Sequence, residues 1–207
     1  GLIDLNPATA MELETPRART ALWTDKQIKR FINAAKKENR ASIALAVRLA
    51  ADTGQRQNDV LKMTWRQYER GEIRIRQAKT GKWVHVPLMA ETRTMLDKAK
   101  KARKDTTQIV VSEATGRPYT ADNFTHRFRD VANVAKIGDL WFLDLRRTAV
   151  VNLARAGCTI PEITAITGHE TETATKIIET YMPRDSTMAR NAISKLEDAR
   201  KRKKKGK

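Results

Sequence analysis

The sequence predicts a mixed α/β domain, mainly α-helical, with one small antiparallel β-sheet or hairpin. Three observations predict it. Apolar residues recur at helical spacing over most of the chain, as in Ile28, Phe31, Ile32 and Ala35. Glu72-Ile73-Arg74-Ile75-Arg76 instead alternates polar and apolar residues, the period of a half-buried strand. Gly54 and Gly157 stand just past apolar helical runs, where a left-handed residue stops a helix.

Each element has its own justification. Residues 1–22, with Asn6-Pro7, Pro16 and no regular period, read as a linker or extended arm. Thr24 with Gln27 forms a capping box that opens the first helix. Residues 41–51 are a second, largely buried helix ended by Thr53-Gly54, and a third runs from about Gln57 to Met63. After the strand at 72–76, Lys79-Thr80-Gly81-Lys82 is a turn and Trp83 to Leu88 a second strand, giving a hairpin. Gln108 to Val111 is expected as a third short strand. Thr120 with Asn123 opens a helix to about Val134. Asp144 to Ala156 is another, with Leu145, Ala149, Leu153 and Ala156 on one face. Thr159, Pro161 and Glu162 mark a short helix entry. A further helix spans about Thr171 to Thr180, and the last, about Thr187 to Arg200, dissolves into Lys/Arg repeats.

Composition narrows the function. The 207 residues hold 40% apolar and 31% charged residues, enough for a real core. Lys plus Arg is 41 against 24 acidic residues, a net charge of +17. The last eight residues carry seven of those charges, so the rest still holds +10. A body this basic attracts a polyanion: nucleic acid first, an anionic membrane surface second. Cys158 is the only cysteine, which excludes a disulfide framework and a cysteine-based zinc site. No apolar run is long enough for a transmembrane helix and no signal-peptide pattern opens the chain. A cytoplasmic or nucleoid protein is therefore expected. The chain begins with Gly1, which is expected of a fragment or a processed protein.

Four islands stand out once a polyanion partner is assumed. They are Thr53-Gly54-Gln55-Arg56-Gln57-Asn58-Asp59-Val60-Leu61 followed by Trp65, the turn Lys79-Thr80-Gly81-Lys82 with Val86-Pro87-Leu88 behind it, Leu143-Asp144-Leu145-Arg146-Arg147-Thr148-Ala149, and Thr167-Gly168-His169 with Tyr181-Met182-Pro183-Arg184 twelve residues after the histidine. Singly, each has a bland reading: a surface arginine, a solvated turn lysine, a packing histidine, an amphipathic tyrosine. Their order and structural placement together are the signal.

On these residues the sequence resembles the tyrosine recombinase (phage integrase) family over roughly 22–184, the family's whole catalytic domain. The resemblance implies a tyrosine-recombinase catalytic-domain-like fold: 1–22 as a linker from a missing N-terminal core-binding domain, 23–184 as the catalytic domain, and 185–207 as a C-terminal helix and polybasic tail. It implies a metal-free phosphodiester transfer through a covalent phosphotyrosyl link, with no cofactor. Tyr181 matches the nucleophile, and Arg56 and Arg146 the phosphate-binding arginines. Guanidinium groups suit that task because they are planar, bidentate and permanently charged. Lys79 matches the general acid and His169 a phosphate-binding histidine, while Asp59 matches a residue behind them that orients an arginine or histidine. Lys82, Arg117 and Arg127 read either as DNA-phosphate contacts or as solvated charge.

Two departures stand out. Leu143 occupies the family's histidine position, and leucine neither binds phosphate nor moves a proton. The twelve-residue interval from His169 to Tyr181 is longer than is common in the family. His85 and His126 are assigned core or surface roles, Trp65, Trp83 and Trp141 core roles, and Cys158 a small core role near a helix stop.

The implied partners are double-stranded DNA at attachment or core sites, a homo-tetramer on DNA and accessory DNA-bending or directionality factors, with no membrane. A phage or prophage integrase in a bacterial host fits best. Three alternatives stay open: a non-catalytic DNA-binding module on the same fold, a generic basic architectural protein, and a type IB topoisomerase.

Overall fold

A computed structural model describes residues 19–102, 106–182 and 185–205. Thr24 caps α1 (Asp25–Lys37): its hydroxyl accepts the Gln27 amide, and the Gln27 side chain accepts the Thr24 amide at 2.8 Å. The expected apolar positions of α1 face inward, and Phe31 stacks on Phe128 with ring centroids 4.9 Å apart. α2 (Ala41–Thr53) is buried along most of its length and ends on Gly54 at φ +65°. α3 (Gln57–Leu61) follows at once and is shorter than expected.

β1 (Tyr68–Glu69), β2 (Glu72–Arg76) and β3 (Trp83–Pro87) form an antiparallel sheet in that order. Ile73 lies opposite Val86 and Ile75 opposite Val84, so the period of two buries one face. The third strand is thus β1 and not the expected Gln108–Val111. Gln108 and Val111 make only isolated bridges, to Thr64 and Pro118. Ile109 and Val110 are buried, and the Ile109 amide donates to the Met63 carbonyl, so this segment packs into the core beside a loop without joining the sheet.

α4 (Ala90–Ala102) was not expected from the sequence. Its apolar stripe is thin, with only Thr92 and Leu96 buried among many charges. Polar contacts join it to α2: Arg48 pairs with Glu91 at 2.9 Å and the Thr92 hydroxyl donates to Asp52. α5 (Ala121–Val134), α6 (Asp144–Arg155), α7 (Ile160–Thr167) and α8 (Thr171–Tyr181) follow the sequence closely. On α6, Leu145 and Ala149 are buried, whereas Leu153 is half-buried and Ala156 exposed. α9 (Ser186–Lys205) continues through the Lys/Arg repeats that were expected to end it, and its described side chains are exposed.

Trp23, Phe31, Phe124, Phe128 and Phe142 form the aromatic centre of the core, mostly edge-to-face. Each such ring contributes roughly 1.5–3 kcal/mol by leaving water. The end of the expected arm is pinned here. Arg19 binds both Asp144 carboxylate oxygens, at 2.9 and 2.8 Å, and the Trp23 indole donates to the Trp141 carbonyl. The rest of that arm, 1–18, and the expected Pro183-Arg184 lie outside the described residues.

Trp65 is in the core as expected, but Trp83 and Trp141 are not. Trp83 takes an outward position on β3, beneath Arg74, because Val84 and Val86 take the inward ones. Trp141 lies on the surface under Arg129, whose guanidinium carbon is 3.7 Å from the ring centroid. Cys158 is half-buried after the helix stop and not a core residue. His85 and His126 are at the surface. Among the described residues, no helix is long and apolar enough to cross a membrane.

Candidate active site

The site starts from two helix stops. Gly54 and Gly168 both hold left-handed backbone, at φ +65° and +63°. A side chain at Gly54 would meet Thr167 at 2.8 Å, and one at Gly168 would meet Gln77 at 2.4 Å. Only glycine lets the end of α2 approach α7, and the end of α7 approach Gln77 of the hairpin, this closely.

Past Gly54, Arg56 caps α3 in extended backbone, and Asp59 stands one turn further on. The Arg56 side chain is about one-third exposed, while Asp59 is buried. Their nearest charged atoms are 3.9 Å apart, an ion pair too long for a hydrogen bond. The other Asp59 oxygen accepts the Ala78 amide at 2.8 Å, which ties α3 to the hairpin turn. Lys79 is the next residue in that turn and is exposed.

Arg146 rises from the first turn of α6. Its Nη1 donates to the Gly54 carbonyl at 2.5 Å and to the Thr167 carbonyl at 2.7 Å. Two helix C-termini therefore hold it, as carbonyl ends favour a cation. Among the described residues, its Nη2 is buried without a hydrogen-bond partner, and so are Arg56 Nη1 and Asp59 Oδ2. Burial, and then the nearby Arg56 charge, lower the Arg146 pKa to about 10, against the opposing pull of Asp59. His169 follows Gly168, and its Nδ1 lies 2.9 Å from the Thr167 hydroxyl. Burial first, then Arg146 and Arg56, push its pKa down to about 3. The imidazole is therefore neutral in the free protein.

Arg56, Asp59, Ala78, Lys79, Leu143 and Arg146 line one cleft of about 660 Å³. Three of the four islands thus meet as expected, and His169 lies beside them through Thr167. Leu143 is 57% exposed on this cleft. Tyr181 sits half-buried in the last turn of α8 and does not line the cleft.

The outlying cations divide. Lys82 pairs with Glu170 at 2.7 Å. Arg117 and Arg127 line a second cleft of about 600 Å³ with Arg40, Glu113 and Tyr119, and Arg127 pairs with Asp130. Sequence reasoning gave no role to Gln55 or Gln77, both buried in the middle of the site. The alternation that buries Ile73 and Ile75 also turns Gln77 inward, and a buried amide needs partners.

Two half-buried arginines, each with a guanidinium nitrogen that has no hydrogen bond among the described residues, and a turn lysine thus line one cationic cleft, with a shielded histidine beside it. The chain matches the phage integrase family over residues 22–182 and belongs to that family. It is 28% identical over 138 residues to the shufflon-specific DNA recombinase of Escherichia coli, covering 64% of this chain and 33% of that protein. The chain therefore spans about a third of the length of this curated relative.

Among solved structures, it resembles a lambda integrase dimer bound to a COC′ core site, with a TM-score of 0.70 and 21% identity. That match covers 89% of this chain and 55% of the other. XerA recombinase gives a TM-score of 0.68 at 21% identity, over 86% of this chain and 66% of its own. The lambda integrase catalytic core gives 0.61 at 23% identity, over 72% of this chain and 92% of its own. These likenesses establish the tyrosine-recombinase catalytic fold.

Proposed function

We propose that the chain is the catalytic domain of a site-specific DNA recombinase that cleaves and rejoins DNA through a covalent 3′-phosphotyrosyl intermediate, without a metal. The observation that carries this reading is a pair of guanidinium nitrogens without a hydrogen bond among the described residues, Arg56 Nη1 and Arg146 Nη2, from two arginines on one cleft. Two cations held close together and partly shielded from water favour an anion between them, and a scissile phosphate supplies one.

In this reading Tyr181 attacks the phosphorus and Arg56 and Arg146 stabilise the charge that builds on the non-bridging oxygens. The Thr167 hydroxyl donates to the Ile163 carbonyl and so accepts from His169 Nδ1; His169 takes up a second proton at Nε2 when the phosphate binds and donates it as a hydrogen bond to the phosphate. Lys79 protonates the departing 5′ oxygen, and Asp59 orients Arg56 and the turn. Since Tyr181 does not line the cleft, the end of α8 moves toward the phosphate when DNA binds. Arg117 and Arg127 hold flanking phosphates along the second cleft, and Lys82 joins them if DNA displaces Glu170.

The substrate is double-stranded DNA at an attachment or core site. A homo-tetramer fits, as one fold neighbour is a lambda integrase tetramer bound to a Holliday junction. Accessory DNA-bending or directionality factors and a place in the bacterial cytoplasm or nucleoid belong to the same reading. So do its divisions: 1–22 as linker, 23–184 as catalytic domain and 185–207 as helix and tail.

The test is a suicide substrate carrying the core site, incubated with wild type and with Tyr181→Phe. A denaturation-resistant adduct is expected from wild type alone. Intact DNA binding with no adduct from the full-length protein would overturn the reading and leave a DNA-binding module.

A further inference from the structure

Gln77 joins the hairpin turn to the arginine cleft, and neither sequence nor family resemblance marks it. Its side chain is fully buried. Its Nε2 donates to Gln55 Oε1 at 2.7 Å and to the Thr167 carbonyl at 2.9 Å. Its Oε1 accepts the Thr80 hydroxyl at 3.1 Å. Its backbone amide donates to the Lys82 carbonyl, and its backbone carbonyl accepts the Gly81 amide at 2.8 Å. Both ends of the side chain and both backbone groups are therefore engaged, on either side of Lys79.

The far side of this network is the phosphate cradle. The Thr167 carbonyl that accepts from Gln77 also accepts from Arg146, and the Thr167 hydroxyl meets His169. Gln55 extends it by donating to the Ile166 carbonyl at 2.9 Å. Gly168 is glycine where a Cβ would strike the Gln77 amide. Lys79 itself has a flexible stem and no ion pair or hydrogen bond among the described residues. Its placement comes from the turn, and the turn takes its register from Gln77.

We infer that Gln77 is a positioning residue that sets the Lys79 turn at a fixed distance from the arginine cleft. This rests on the reading of Lys79 as the proton donor to the leaving group. In that step Tyr181 Oη bonds to phosphorus and loses its proton to solvent, the bond to the 5′ oxygen breaks, and the Lys79 ammonium protonates that oxygen. Small misplacement of a catalytic group costs on the order of 10²-fold.

The experiment compares two suicide substrates. One has the ordinary 5′ oxygen; the other has a bridging 5′ sulfur, whose thiolate leaves without a proton. The full-length protein carries Gln77→Met, Thr80→Val or Lys79→Ala. On the oxygen substrate, Gln77→Met is expected to slow adduct formation about 10- to 100-fold and Thr80→Val less, with DNA binding retained. On the sulfur substrate both are expected within a few-fold of wild type, as is Lys79→Ala. Equal slowing on both substrates overturns the inference, because Gln77 would then act on the arginine cleft as a whole. If Gln77→Met fails to fold, Thr80→Val alone decides between these outcomes, since it cuts the turn from Gln77 without touching the buried amide pair. A Lys79→Ala defect that sulfur does not rescue overturns the proton-donor reading itself, and the inference with it.

Discussion

The Asp59 carboxylate accepts the Ala78 amide at 2.8 Å, so the helix that carries Arg56 also fixes the turn that carries Lys79. Two groups from separate islands are spaced by one buried acid. Its second oxygen, 3.9 Å from Arg56, has no hydrogen bond of its own. Removing the acid should therefore loosen the turn and leave Arg56 closer to unpaired. Asp59→Ala is expected to cost about 1.5–3 kcal/mol of stability, the range for hydrogen bonds to charged groups. Asp59→Asn keeps an acceptor for Ala78 and should cost less. Urea titration of both variants checks the order, and equal losses would show that the charge alone matters.

Arg146 should tolerate no replacement. Its Nη1 bridges two carbonyls while Nη2 stays free on the same rigid plane, and lysine has no such plane. Arg146→Lys is expected to lower the adduct-forming rate about 10²-fold or more, near the effect of losing one preorganised donor. Single-turnover cleavage of the suicide substrate measures it.

The depressed His169 pKa has a pH signature. The folded protein holds the imidazole at about 3, against an ordinary 6.5. The unfolded chain therefore takes up the proton first as pH falls, so stability is full above 6.5 and lost from there toward 3. Full uptake costs about 1.4 kcal/mol per pH unit, or about 2 kcal/mol at pH 5. Wild type should lose that much more than His169→Asn between pH 7.5 and pH 5, read from urea midpoints. A bound phosphate would raise the pKa, and the His169 ring resonances should then titrate at higher pH with DNA than without.

Much of this was legible beforehand, and the reasons differ by element. Thr24 with Gln27 and Thr159 with Glu162 announce helix starts because the capping bonds are local. The hairpin is visible because alternation at 72–76 and 83–87 is a property of each strand alone. α4 escaped because its contact with α2 rests largely on Thr92, Leu96 and the Glu91–Arg48 pair, a weak stripe in a charged segment. Residues 108–111 misled because an apolar run can pack into a core without joining a sheet. Within the site, Arg56, Lys79 and Arg146 announce themselves by charge, and the cleft brings them together. Gln55 and Gln77 do not, since a neutral amide gains meaning only from partners distant in sequence.

Gly168 should be close to irreplaceable. Its φ of +63° strains any other residue, and an added Cβ would lie 2.4 Å from the Gln77 amide nitrogen. The amide cannot simply withdraw, because Gln55, Thr167 and Thr80 hold it. Gly168→Ala is expected to cost about 1–3 kcal/mol of stability from backbone strain alone. Gly116, which has the same sign of φ and nothing within 4 Å, is the control for the clash. A thermal-unfolding loss no larger at Gly168→Ala than at Gly116→Ala would show that the Gln77 contact yields easily.

Leu143 gives the sharpest expectation, because its replacement should raise the proposed activity. It lines the arginine cleft just before α6, 57% exposed, so changing it removes little buried surface. Leucine there offers phosphate neither a hydrogen bond nor a proton acceptor. A histidine would add both, and general acid–base groups are typically worth about 10²–10⁴-fold. Leu143→His is expected to raise the single-turnover adduct rate at least tenfold, with Leu143→Ala near wild type to show that lost bulk is not the cause. The proton-accepting part of the gain should vanish once the new imidazole is protonated at low pH. An unchanged rate would mean that another group already fills the place, and the leucine is then an adaptation of this cleft and not a handicap.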